Sequence, residues 1–140
     1  MDGPGAYHGS SATVENATGK TIGTWPCQKP PWARLLAVNA NTGEFMWYTP
    51  LGMQEGLPAE KQNVGNAGSA GPIVTAGGLV FIGATNDHRF RAFDAKTGEE
   101  LWTTVLEKNA DANPITYQSR NGKQYVAVVA SDTLDVFALP

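Results

Sequence analysis

The sequence predicts an all-β chain built from repeated four-stranded antiparallel units, and three observations predict it. Gly and Pro number 16 and 9 among 140 residues, about half again their ordinary share of roughly 12%. From Arg34 onward, short runs rich in Val, Ile, Phe, Trp and Thr are bounded by Gly, Asn, Asp or Pro, the signature of strands and hairpins. The chain also repeats itself: RLLAVNANTGEFMWYTPLG from Arg34 and RFRAFDAKTGEELWTTVLE from Arg89 share nine of nineteen residues at an offset of 55.

Taken in order, residues 1–33 run from MDGPGAYHGSS to TWPCQKPPW with neither helical nor alternating periodicity, and an irregular segment is expected there. A half unit follows at 34–52, a hairpin of Leu35 to Ala40 and Phe45 to Leu51 across Asn41-Thr42-Gly43. A full unit at 71–107 places strands at Pro72 to Thr75, Leu79 to Thr85, Phe90 to Ala95 and Leu101 to Leu106. A partial unit at 113–140 places three more, at Pro114 to Gln118, Gln124 to Ser131 and Leu134 to Leu139. GPIVT at Gly71 aligns with NPITY at Asn113 at an offset of 42, and LVFIGAT at Leu79 resembles KQYVAVVAS at Lys123. Such spacings match the blades of a β-propeller, for which about 40 to 50 residues is usual. A nine-stranded sandwich is disfavoured, since sandwich strands need not resemble one another at a fixed offset.

Composition excludes several functions. Ten basic against thirteen acidic residues, net −3, give no electrostatic footprint for nucleic acid. No apolar run approaches the roughly 18 residues of a membrane helix, and the N-terminus lacks the basic and apolar regions of a signal peptide. Cys27 is the single cysteine, which leaves no internal disulfide and no thiolate metal site; it is expected to be a small packed residue.

Within the repeat, Ala92-Phe93-Asp94-Ala95-Lys96-Thr97-Gly98-Glu99-Glu100-Leu101-Trp102 echoes Ala37-Val38-Asn39-Ala40-Asn41-Thr42-Gly43-Glu44-Phe45-Met46-Trp47. The shared pattern is A-x-[DN]-x-x-T-G-x-x-x-W. Asp94 or Asn39 can bond turn amides, the glycine can take a positive φ, and the Trp buries a large flat surface. These roles are structural.

The motif resembles the tryptophan-docking repeat of the eight-bladed propeller in pyrroloquinoline-quinone (PQQ)-dependent dehydrogenases, where the Trp of one blade packs against the next. WPCQKPPW, SAGPIVTAGGLVFIGATNDHRFRAFDAKTGEELW, NPITYQSRNGKQYVAVVAS and the final FALP are similar to the C-terminal part of the membrane-associated quinoprotein glucose dehydrogenases. The resemblance spans Trp25 to Pro140. It implies an incomplete propeller, a fragment with no activity of its own, and a periplasmic parent enzyme.

Loops of an antiparallel blade alternate between the two faces of the disc, so Thr85 to His88 is expected beside the long connection Gly52 to Gly71. Thr85-Asn86-Asp87 resembles the T-L-D segment at the cofactor site of the glucose dehydrogenases. The resemblance makes Asp87 a cofactor contact, with Thr85 and Asn86 as its neighbours. From the residues alone, Asp87 could equally cap a turn. His88 and His8 are expected at the surface, and Arg89 and Arg91, on one strand face, in solvated or inter-blade pairing. Relatives carry a glycine-rich loop after the strand matching Tyr125 to Ala130, where this sequence has only Ser131-Asp132-Thr133.

In the family a carboxylate base removes the alcohol proton while hydride passes to PQQ, and a divalent cation, calcium or magnesium, polarises the quinone. No motif here matches that base or those ligands, so no catalytic or metal residue is assigned. Two functions follow. One is the C-terminal part of a PQQ-dependent sugar or alcohol dehydrogenase that passes electrons to a quinone acceptor. The alternative is a cofactor-free propeller module for protein binding or assembly. In either case uncovered blade edges predict association with the rest of a propeller or with further copies of the chain.

Overall fold

The computed structural model describes residues 11–138; His8 and the last two residues of FALP lie outside them. Eleven strands occupy this span, with one 3-10 turn at Ala59–Lys61 as the sole helical element among the described residues. A first hairpin joins β1 (Ser11–Glu15) to β2 (Thr21–Pro26), and a second joins β3 (Arg34–Val38) to β4 (Phe45–Pro50). A four-stranded antiparallel sheet follows in chain order: β5 (Ile73–Val74), β6 (Leu79–Ile82), β7 (Arg89–Asp94) and β8 (Glu100–Val105). A three-stranded sheet of β9 (Ile115–Gln118), β10 (Gln124–Ala130) and β11 (Thr133–Ala138) completes it.

The β1–β2 hairpin departs from the irregular segment expected before Arg34. Its turn explains it: the Asn16 side-chain oxygen accepts from the Thr18 and Lys20 amides, and Gly19 takes φ +77°. An Asn-centred turn closed by a left-handed glycine nucleates a hairpin. The flanking Ser, Thr and Gly residues hide it, because SATVE and TIGTWP carry little apolar alternation.

Side-chain alternation along β6 and β7 sorts the core into two layers. Phe81, Phe90 and Ala92 face the three-stranded sheet and pack with Val126, Val128, Ala130, Leu106 and Ala110. Val80, Ile82 and Phe93 point the other way, onto Leu35 of β3 and Leu51 just after β4. The two central strands of the middle sheet, β6 and β7, are thus buried on both faces, and a fully enclosed side chain such as Phe90 contributes about 2 kcal/mol by transfer alone.

The repeat is structural as well as sequential. Ala37 pairs with Trp47 and Ala92 with Trp102, and each hairpin slips register at the next position, Ala37/Val38 and Ala92/Phe93. The slip makes room for the turn. Asp94 Oδ1 accepts from the Lys96 and Thr97 amides, the Gly98 amide returns to the Asp94 carbonyl, and Asn39 organises its own turn in the same way. Trp47 then leaves its own sheet: its Nε1 donates to the Ala95 carbonyl at 3.1 Å, and its ring lies on Gly98.

Candidate functional site

At one end of the middle sheet, the loop between β6 and β7 meets the long connection between β4 and β5. The return limb of that connection pairs with the loop: the Ser69 amide donates to the Ala84 carbonyl at 2.9 Å, the Asn86 amide to the Ala67 carbonyl at 2.9 Å, and Gly68 bridges Thr85. Gly68 must be glycine because a Cβ there would fall onto the Ala84 carbonyl. The outgoing limb is held too, by Asn66 Nδ2 donating to the Met53 carbonyl at 2.8 Å.

Between the two segments lies a polar cleft of about 350 Å³, lined by Met53, Gln54, Glu55, Asn66, Asn86, Asp87, His88 and Val105. A larger cavity, about 490 Å³, opens between the middle and three-stranded sheets at Trp102, Val136 and Phe137. It is almost wholly apolar and belongs to the packing of neighbouring sheets. The cleft is where chemistry-bearing side chains gather.

Thr85, Asn86 and Asp87, the three residues singled out in the sequence, are brought together here but face different ways. Thr85 and Asp87 are buried, whereas Asn86 is exposed in the cleft. The Asp87 carboxylate accepts from Thr85 Oγ1 at 2.6 Å, the Met53 amide at 2.7 Å, the Arg89 amide at 3.2 Å and both terminal nitrogens of Arg91. Burial, the largest single influence on Asp87, pushes its carboxyl up. The hydrogen bonds from Arg91 and Thr85, the Arg91 charge and the Met53 amide together outweigh it and hold the group ionised below its ordinary range.

Arg91 corrects an expectation. It is 2% exposed, and its main partner is Asp87 of its own sheet, neither solvent nor another blade; its Nε also approaches Glu100 on β8 at 3.4 Å. Alternation on β7 turns it inward with Phe93, and only the fork of a guanidinium can meet both oxygens of a buried carboxylate there. Sequence reading missed this role, although the i, i+4 spacing of Asp87 and Arg91 across a strand start was visible. Arg89, by contrast, reaches out to Glu55 on the connection at 2.8 Å.

His88 is exposed as expected and adopts φ +59°, with Nδ1 3.1 Å from the Glu107 carbonyl. Cys27 is exposed and not packed; its neighbours Trp25 and Trp32 stack on each other with centroids 6.4 Å apart. Asn109, unflagged by the sequence, donates from Nδ2 to Asn86 Oδ1 at 3.1 Å, and its own Oδ1 is buried with no partner. Among the described residues no three His, Cys, Asp or Glu side chains are grouped to hold a metal ion.

Antiparallel sheets packed in chain order, the β3–β4 hairpin tied to the middle sheet by Trp47 and the middle sheet to the three-stranded one through Trp102 against Phe137, are the blades of a β-propeller that this chain does not close. The family profile described as "Glucose/ethanol/alcohol dehydrogenase, beta-propeller domain", PQQ, matches residues 2–126. The chain belongs to that family. It is 39% identical over 134 residues to the glycerol dehydrogenase large subunit of Gluconobacter thailandicus, covering 81% of this chain and 18% of the relative. It is 36% identical over 130 residues to quinoprotein glucose dehydrogenase A of Acinetobacter calcoaceticus, covering 82% and 16%. A europium-containing methanol dehydrogenase superposes with a TM-score of 0.55 at 31% identity, covering 84% of this chain and 19% of that one. The chain therefore spans less than a fifth of the length of these proteins.

Proposed function

We propose that the chain forms the C-terminal blades of a periplasmic PQQ-dependent sugar or alcohol dehydrogenase, and that the loop Thr85-Asn86-Asp87 supplies one wall of its quinone site. The observation that carries this reading is the polar cleft at the loop end of the middle sheet, in a chain of the quinoprotein propeller family.

The residues present suit a quinone wall. Asn86 brings amide donors to the cleft, and Asn109 holds its oxygen from behind. A bound quinone supplies a two-electron acceptor for oxidation of a hydroxyl group. The chain contributes binding and orientation: Asp87 and Thr85 fix the loop, and the connection from Met53 to Asn66 closes the cleft from the other side. No residue of this chain is assigned to the divalent cation or to the general base.

The test is reconstitution. An intact polypeptide containing these blades, loaded with PQQ and calcium, is expected to reduce a dye with glucose, glycerol or a related alcohol. The 140-residue chain alone is expected to give no turnover. Turnover by the isolated chain, or none by the intact polypeptide with any of these substrates, overturns the reading.

A further inference from the structure

The Asp87 carboxylate has no acceptor capacity left. A carboxylate offers about four lone-pair positions, and five donors converge here: Thr85 Oγ1, the Met53 and Arg89 amides, and two nitrogens of Arg91. Its side chain is 1% exposed. A ligand could reach Asp87 only by breaking bonds already made in a low-dielectric setting, at the cost of leaving the Arg91 charge buried without its partner. Asn86, between two buried residues, points the other way into the cleft, and its Oδ1 alone is engaged, by Asn109.

The geometry points to Arg91 as a positioning residue of the cleft. It fixes the Asp87 carboxylate, which in turn holds the Met53 amide and with it the outgoing limb of the connection. Asn86 is then the member of the loop that meets the ligand, donating its amide hydrogens to a quinone carbonyl or carboxylate. This division of labour rests on the reading of the cleft as a quinone wall, but the clasp itself does not.

The two halves are tested separately. Amide hydrogen exchange is measured without ligand in the full 140-residue chain carrying Arg91→Lys or Asp87→Asn. A lysine can meet only one oxygen and an amide carries no charge, so the Met53 amide is expected to exchange at least about tenfold faster in both, the loss of a charge-assisted bond. Amides of the β6–β7 ladder should lose less protection than the Met53 amide. Unchanged exchange at Met53 overturns the positioning role, and so does an equal loss across the ladder, which would make Arg91 merely structural. PQQ binding is then titrated by its absorbance in an intact polypeptide containing these blades. Asn86→Ala is expected to weaken it about tenfold while leaving Met53 protected. Binding equal to the unsubstituted polypeptide overturns the role of Asn86. No binding by the unsubstituted polypeptide overturns the quinone wall, and the exchange data still decide the clasp.

Discussion

The indole of Trp47 and the carbonyl of Ala95 are joined by a 3.1 Å hydrogen bond across 48 residues of chain. The donor belongs to the β3–β4 hairpin and the acceptor to the turn that follows β7, so the bond ties one sheet to the next. The same turn offers Gly98, at φ +74°, as a flat seat without a Cβ for the six-membered ring. One bond and one missing methyl set the separation of two blades.

Trp47→Ala is accordingly expected to destabilise the chain by about 3 kcal/mol, the usual cost of removing a large aromatic side chain from a packed site. Chemical denaturation followed by far-ultraviolet circular dichroism measures it. Trp47→Phe should recover part of the loss, because the ring contact returns and the bond to Ala95 does not.

Gly68→Ala should be far worse than its exposure suggests. The new Cβ would strike the Ala84 carbonyl, and the bridge to Thr85 would open. The expected outcome is faster exchange at the Ser69 and Asn86 amides, which bond Ala84 and Ala67, with the distant β10–β11 ladder unaffected.

Acid should act through Asp87. Its folded-state carboxyl lies below the ordinary value, so its stabilising contribution is fully present above the unfolded value of about 3.9 and is lost as pH falls through the folded one. Asp87→Asn is expected to flatten the pH dependence of stability in that acidic window. It should also cost about 1 kcal/mol at neutral pH, because the remaining amide oxygen still accepts from Arg91 but the counter-charge is gone. Urea titrations at several pH values separate the two effects. Asp94 and Asp132 shift in the same direction, Asp94, half-buried, chiefly through the Thr97 amide and Asp132, exposed, chiefly through Lys108.

Association should follow from the outer sheets. Leu36, Met46 and Tyr48 are exposed on the hairpin side, and Ile115, Leu134 and Val136 on the three-stranded side. Two different apolar faces at opposite ends of a stack favour head-to-tail contact. Sedimentation at micromolar concentration is expected to show species larger than a monomer, and Tyr48→Lys with Leu134→Lys should shift them toward one.

Strand positions after Arg34 were legible because turn residues and apolar runs recur with the repeat; β3 to β11 each fall within the span expected from sequence, or extend it by a residue at one end. The β1–β2 hairpin was not, because its strands are polar and its turn is made by one Asn side chain. The site was legible only as a place. Thr85, Asn86 and Asp87 do meet the connection at one end of the sheet, but their opposite orientations depend on the left-handed Ala84 and His88 that bracket the loop. The partnership of Asp87 with Arg91 depends on which face of β7 is covered, and that needs a neighbouring sheet to be in place.

Between Pro50 and Ile73 lie 22 residues, and between Val105 and Ile115 only nine. The difference, thirteen, equals that between the two repeat offsets of 55 and 42. The surplus is therefore not spread through the strands: the whole phase slip sits in the one connection that Asp87 grips. In an array of near-identical units, the irregular interval is where a scaffold has been given room to become specific.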